Sequence, residues 1–257
     1  MYVGVAQGRT RVEPARGACL DGGGGAIPRR MEALTQLGPD LWAATRPLPL
    51  IVGDIGTRMI VVRLPDGSLL LHSPVRLDEA TRRALDALGP VQHVVAPSLV
   101  HHLFAGDYAA GYPSARVFAA PGLPDKRRDL RVDEILGDGP PPAWGDALQL
   151  HLFRGAPRIN EVVFFHPASR TLILTDLAFN VVSPPSGRAR LFLGLVGAAG
   201  RFGPHRLLRL LIRDRRAARA SLDRILAWDF DRVTVTHGDV LERGGKERLA
   251  EAFAFLR

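Results

Sequence analysis

The sequence predicts an α/β fold in which two sheets lie face to face with helices outside them, an αββα sandwich built as a single domain. Three observations lead there. Strand-like runs followed by helical stretches occur twice along the chain, which suggests two sheets each covered by helices. Three β-branched-rich runs end in side chains able to bind a metal: Val94-Val95 leads to His101-His102, Leu172-Ile173-Leu174-Thr175 to Asp176, and Val233-Thr234-Val235-Thr236 to His237-Gly238-Asp239. Ligands collect in the crevice outside strand ends in such folds, so these exits point to one shared site. A chain of 257 residues that is 46% hydrophobic is also large enough to bury one extensive core.

Residues 1–36 carry Gly22-Gly23-Gly24-Gly25 and scattered arginines without a period. Ordering a glycine run costs much backbone entropy, so this stretch is expected to be a disordered leader ahead of a domain spanning 37–257. Met31 precedes the first convincing element and is an alternative translation start to Met1. The glycine run neither follows a strand nor opens a helix, so it is not a phosphate loop.

From Leu48 short strand-like runs begin: Leu50-Ile51-Val52, then Met59 to Leu64 and Ser68 to His72, the latter two joined by Pro65-Asp66-Gly67. An Asp-Gly turn between apolar runs signals a hairpin. Leu77 to Leu88 reads as a helix, with Asp78-Glu79 in its first turn and Gly89-Pro90 stopping it. Val91 to Ala96 and Arg116 to Ala120 are strands, and Pro121 to Pro142 is a charged, turn-rich connection. The second round has strands at Ala147 to Phe153, Glu161 to Phe165 and Thr171 to Thr175. Arg188 to Trp228 is helical in period with a break at Gly200 to Pro204. A buried strand follows at Val233 to Thr236, and a closing helix at Glu247 to Leu256.

The formal charge of +8 is almost all arginine, since Lys126 and Lys246 are the only lysines. Genome composition is the plain source of such a bias; an anionic substrate, a membrane surface or nucleic acid is the functional one. No basic motif interleaved with aromatic residues occurs, which leaves nucleic acid a minor option. Cys19 is the sole cysteine, excluding an intrachain disulfide framework and cysteine-rich zinc modules, and a cytoplasmic location fits best. The longest apolar run, Leu191 to Gly200, is too short to span a bilayer, so a soluble protein is expected.

The hairpin ending in His72-Ser73-Pro74, the helix, the strand into Ser98-Leu99-Val100-His101-His102-Leu103-Phe104-Ala105-Gly106, the Leu174-Thr175-Asp176-Leu177-Ala178-Phe179 segment and Thr236-His237-Gly238 follow one another in a diagnostic order. This order resembles the metallo-β-lactamase superfamily over Leu41 to Arg257, close to a bacterial family of unknown function with that fold. The resemblance implies a metal motif His-x-His-x-Asp-His followed by x-Gly. Placing Gly106 on its glycine puts His101 on the second histidine, and Leu99, Leu103 and Phe104 on the other three ligand positions. Where the superfamily has a histidine in a Gly-His-Thr/Ser turn, this chain has Gly155-Ala156-Pro157. Asp176 matches the metal-bridging aspartate and His237 the last histidine.

What remains is His101 or its neighbour His102, with Asp176 and His237. Two histidines and a carboxylate can hold one zinc or iron(II) ion with positions left open, which implies a mononuclear metal-dependent hydrolase with a degenerate ligand set. The alternative is a non-catalytic binding protein on the same fold, without metal, in which Asp176 and His237 hydrogen-bond across the crevice and His102 caps a helix. A metal-free catalytic site is a third possibility. In each case the small-molecule substrate or ligand is unspecified.

Further candidates are His72, which ends a strand adjacent to that of His101, Glu161 as a replacement ligand or base, and His166 at a strand turn. His166 has the plainer role of satisfying backbone groups there. His93, His151 and His205 read as ordinary surface or packed residues, and Asp107 as a helix-surface charge. No Gly-x-Ser-x-Gly elbow and no cysteine beside a histidine supports nucleophilic hydrolysis. The apolar stretch 191–212 among arginines is expected to be a helical pair packed on the sheet. Its functional readings are a lid, a homodimer surface or a weak contact with anionic lipid.

Overall fold

Side chains that alternate in direction every residue build both sheets. The structure is a computed structural model and describes residues 33–257 apart from Val52 and Pro185. Residues 1–32, with the leader reading and both candidate starts, lie outside the described residues; Thr35, inside the stretch read as leader, already begins a strand.

The first sheet is built from β1 (Thr35–Gly38), β2 (Leu41–Arg46), β3 (Thr57–Arg63), β4 (Leu69–His72), β5 (Val91–Ala96), β6 (Arg116–Ala119) and β7 (Glu134–Ile135), side by side in chain order. Its first half is antiparallel and the pairs from β4 to β7 are parallel. Asp66 forms the predicted hairpin turn between β3 and β4, its carboxylate accepting from the Ser68 N–H and hydroxyl at 2.9 and 2.7 Å. The helix α1 (Glu79–Leu88) is capped by Asp78, which accepts the Thr81 N–H at 2.7 Å, and connects β4 to β5. Two short helices follow, α2 (Ala105–Gly111) and α3 (Leu123–Lys126).

The second sheet has four strands in the order β8 (Gln149–Leu152), β9 (Val162–His166), β10 (Thr171–Ile173) and β11 (Arg232–Thr234), of which β10 and β11 run parallel. Between β10 and β11 lie α4 (Gly187–Leu195), α5 (Arg206–Leu211) and α6 (Arg215–Leu226), and α7 (Gly245–Ala252) closes the chain before a final turn.

Parity assigns each apolar residue to a layer. On β3, Ile60 and Val62 enter a cluster shared with Phe164, Ile173 and Trp144 between the sheets, whereas Met59 and Val61 face α1 and α2 with Leu85 and Tyr108. On β9, Val162 and Phe164 point inward, and Val163 and Phe165 outward against Leu222 of α6 and Leu249 of α7. The result is the expected αββα sandwich. No helix among the described residues is long and apolar enough to cross a membrane.

One predicted strand does not join the sheet. Pro49–Leu50 pairs only with Gly53–Asp54 in a two-residue ribbon, and Ile51 is 99% exposed. Pro47 and Pro49 lack the N–H a ladder needs, so the sheet position goes to β2 instead, where Leu41, Ala43 and Ala44 are buried.

Candidate metal centre

The carboxyl ends of β5, β10 and β11 deliver the three metal-binding side chains to one point. His101, Asp176 and His237 each offer a ligand atom, and these atoms lie within 4.8 Å of one another. His101 Nε2 is 3.2 Å and His237 Nε2 3.7 Å from Asp176 Oδ1, with the side chains only 8%, 5% and 8% exposed for His101, His237 and Asp176.

Local chemistry holds each group. Before His101, the buried Ser98 hydroxyl accepts the N–H of Val100 and of His101 at 3.2 and 3.0 Å, closing a tight turn at the strand exit. The Ser73 hydroxyl lies 3.1 Å from His101 Nδ1. Asp176 is fixed through its backbone: buried Glu161 accepts the N–H groups of Thr175, Asp176 and Leu177 at 2.6, 2.8 and 3.0 Å. His237 Nδ1 lies 2.7 Å from the Gly56 carbonyl, which can only accept, so Nδ1 carries the proton and Nε2 keeps its lone pair for the site. Behind it Gly238 has φ +104°, and a Cβ there would come within 2.2 Å of the Asn180 carbonyl oxygen.

The contact between His101 and Asp176 is close but misaligned as a hydrogen bond. His101 Nε2 and Asp176 Oδ2 are buried and have no hydrogen-bond partner among the described residues. Unsatisfied buried polar atoms are costly, and an unpartnered imidazole nitrogen beside a buried carboxylate fits a missing cation. Burial pulls the His101 imidazole down, yet the Asp176 charge, assisted by Glu161, holds it above its ordinary value. Burial works to raise Asp176, but His101, His237 and His205 hold it down to about 2. Burial and the neighbouring His101 push His237 down to about 4. Near neutral pH the site therefore combines a carboxylate with a neutral His237, the states that ligate a metal.

Of the two adjacent histidines, His101 is the one at the cluster. His102 sits at the rim, where Arg127 donates to its Nδ1 at 2.9 Å. His72 is buried beneath the site with its ring edge-on to Phe164 at 4.7 Å; burial and His101 push it down to about 3. Its parity on β4 points it between the sheets rather than into the crevice. Glu161 faces backbone N–H groups, not the ligand atoms, and burial followed by the Asp176 charge pushes it up to about 7. His166 lies at the far end of β9 from Glu161, bonded through Nδ1 to the Ser169 hydroxyl at 2.7 Å, so it is a turn residue.

Above the cluster opens a cleft of about 280 Å³. Its walls are mostly apolar, with Ile55, Leu103, Phe104, Phe179, Phe192 and Val196 among them. Three groups of this region escape a reading of motifs. Ser73, which holds φ +54°, lines the cleft and completes a series of hydroxyl, imidazole and carboxylate with His101 and Asp176. His205 also lines the cleft while its Nδ1 caps α5 by accepting the Leu208 N–H, which leaves the ring proton on Nε2. Buried Arg58 donates to the carbonyls of Val235 and Gly238 on either side of His237. A positive φ and long-range pairing leave no local sequence signal; only the position of Ser73 beside His72 at a strand end hinted at its place.

A family model described as a domain of unknown function (DUF4336) matches residues 40–191, more than half of the chain. No match was found among curated proteins. Among solved structures, the chain is similar to a metallo-β-lactamase from Pontibacter korlensis, with 14% identity, a TM-score of 0.60, and coverage of 87% of this chain and 97% of that one. It is similar to a metallo-β-lactamase from Hirschia baltica at 11% identity and a TM-score of 0.59, covering 87% and 96% of the two chains. It is also similar to the metallo-β-lactamase FIM-1 from Pseudomonas aeruginosa in its mono-zinc form, at 12% identity and a TM-score of 0.56, covering 87% and 92%.

Proposed function

Because the chain belongs to the DUF4336 family and carries the metallo-β-lactamase fold, we propose that it is a hydrolase using one metal ion held by His101, Asp176 and His237. The observation that carries this reading is the convergence of three buried ligand groups within 4.8 Å of one another, with His101 Nε2 and Asp176 Oδ2 left without hydrogen-bond partners among the described residues. Two imidazole nitrogens and one carboxylate suit zinc or iron(II). When bound, such an ion supplies a Lewis acid for a carbonyl or phosphoryl group and brings the pKa of water toward neutrality.

The ligand set is degenerate: Leu103 and Phe104, at two positions where the superfamily motif places ligands, line the cleft instead. The chain's own residues do the positioning. The Gly56 carbonyl holds the His237 proton on Nδ1, and the Ser73 hydroxyl can accept a proton from Nδ1 of His101, which leaves both Nε2 atoms for the site. Glu161 fixes the loop bearing Asp176. The apolar walls exclude water and take the apolar body of a small substrate, presenting one ester carbonyl or phosphoryl group to the cluster.

A second reading rests on the Ser73, His101, Asp176 series, which resembles a relay for nucleophilic attack without metal. Hydrolysis of chromogenic acyl and phosphate esters, before and after chelation, separates the readings. Metal-dependent hydrolysis lost in Asp176→Ala, His237→Ala and His101→Ala but kept in His102→Ala supports the metal site. Hydrolysis that survives chelation and fails in Ser73→Ala supports the relay. A protein that binds no metal and hydrolyses none of these esters is a binding protein on this fold.

A further inference from the structure

We propose that the face formed by α4 and α5, which surrounds the cleft mouth, docks on an anionic phospholipid bilayer. Four exposed apolar side chains, Leu50, Val100, Leu103 and Leu207, line the cleft itself. Beside them Leu191 and Leu195 of α4 are 67% and 68% exposed, and Leu210 of α5 is 79% exposed. These two helices also supply Phe192 and Leu207 to the cleft wall, so the apolar collar and the opening share one surface. The spacing of four between Leu191 and Leu195, and of three between Leu207 and Leu210, turns each pair to one helix face.

The charge around this collar decides its occupant. Residues 187–213 hold six arginines (188, 190, 201, 206, 209 and 213) and no acidic residue. None of these six forms an ion pair among the described residues. Arg201 is lowered by burial and then by Arg209 and Arg206, as crowded like charges require. A second copy placed on this face would set these arginines against their own equivalents, whereas an anionic headgroup layer neutralises them while the leucines enter the acyl boundary. The cleft then opens toward that layer.

The docking does not depend on metal chemistry, and its test reads binding rather than turnover. The full chain is floated with vesicles of phosphatidylcholine alone or mixed with phosphatidylglycerol, at low and high salt. Binding is expected to the mixed vesicles, weakening with salt, and little to the neutral ones. Leu191→Ser/Leu195→Ser removes exposed apolar surface without touching the core. Arg188→Glu/Arg190→Glu places acids where the first turn of α4 accepts them. Each pair should weaken binding by about tenfold or more, with unchanged thermal melts, and His237→Ala should float like the parent chain. Failure to bind anionic vesicles, equal binding to neutral ones, or a self-association abolished by Leu191→Ser/Leu195→Ser in a chain that does not float would overturn the proposal.

Discussion

Glu161 and Asp176 are neighbouring buried carboxylates with different partners: Glu161 accepts the Asp176 backbone N–H at 2.8 Å, while the Asp176 side chain approaches His101 at 3.2 Å. One carboxylate therefore aims the other. Replacing Glu161 by Gln keeps the shape but sets an NH2 group against backbone N–H donors. We expect Glu161→Gln to weaken metal binding by about 10- to 100-fold and to cost about 1–3 kcal/mol of stability. Calorimetric titration with zinc beside thermal denaturation measures both; an unaltered zinc affinity would show that the loop keeps its place unaided.

Ser73 combines a hydroxyl beside His101 with a left-handed backbone. Both Ser73→Ala and Ser73→Gly lose the hydroxyl and should lose metal affinity alike. Glycine relieves the positive φ, so Ser73→Gly should be more stable than Ser73→Ala by about 1 kcal/mol. Equal stability of the two variants would mean that the turn relaxes.

His72 sets part of the acid limb. Burial followed by the His101 charge depresses it from 6.5 to about 3, so the unfolded chain takes up this proton first as the pH falls. Its contribution to stability is complete above pH 6.5 and is lost toward pH 3, at about 1.4 kcal/mol per unit. His237, depressed to about 4, acts in the same direction, whereas Glu161, raised to about 7, opposes both between 4.5 and 7. His72→Leu should flatten the decline in stability below pH 6.5. Chemical denaturation at a series of pH values tests this, and an unchanged slope would assign the acid limb to other groups.

In the second superfamily motif Ala156 stands at the histidine position, and the glycine before it is kept as Gly155. That residue has φ +88°, and a Cβ would come within 2.2 Å of the Asp214 carbonyl oxygen. Gly155→Ala should therefore lower stability by about 3 kcal/mol or more. Thermal denaturation checks this, and a variant as stable as the parent chain would show that the α6 start moves aside.

The strands were legible because a continuous apolar run such as Met59-Ile60-Val61-Val62, buried on both faces, is a local signal, whereas the layer each residue enters was decided by the sheets. The Asp66-Gly67 turn and the acidic start of α1 at Asp78-Glu79 were legible for the same reason, since each partner lies within three residues, although Asp78 proves to cap the helix rather than to lie in its first turn. The run at Leu50 was misread because apolar content alone does not register the N–H groups removed by Pro47 and Pro49.

The sequence by itself determined an αββα sandwich and the three strand exits where His101, Asp176 and His237 would gather. Only tertiary structure decided that His101 rather than His102 turns to Asp176, that Glu161 clamps a backbone, that Ser73 stands behind His101, and that His166 sits at the opposite end of its strand. Beyond the last ladder hydrogen bond the period of two no longer directs a side chain. Its aim then depends on partners distant in sequence, such as Gly56, which lies 181 residues before the histidine it orients.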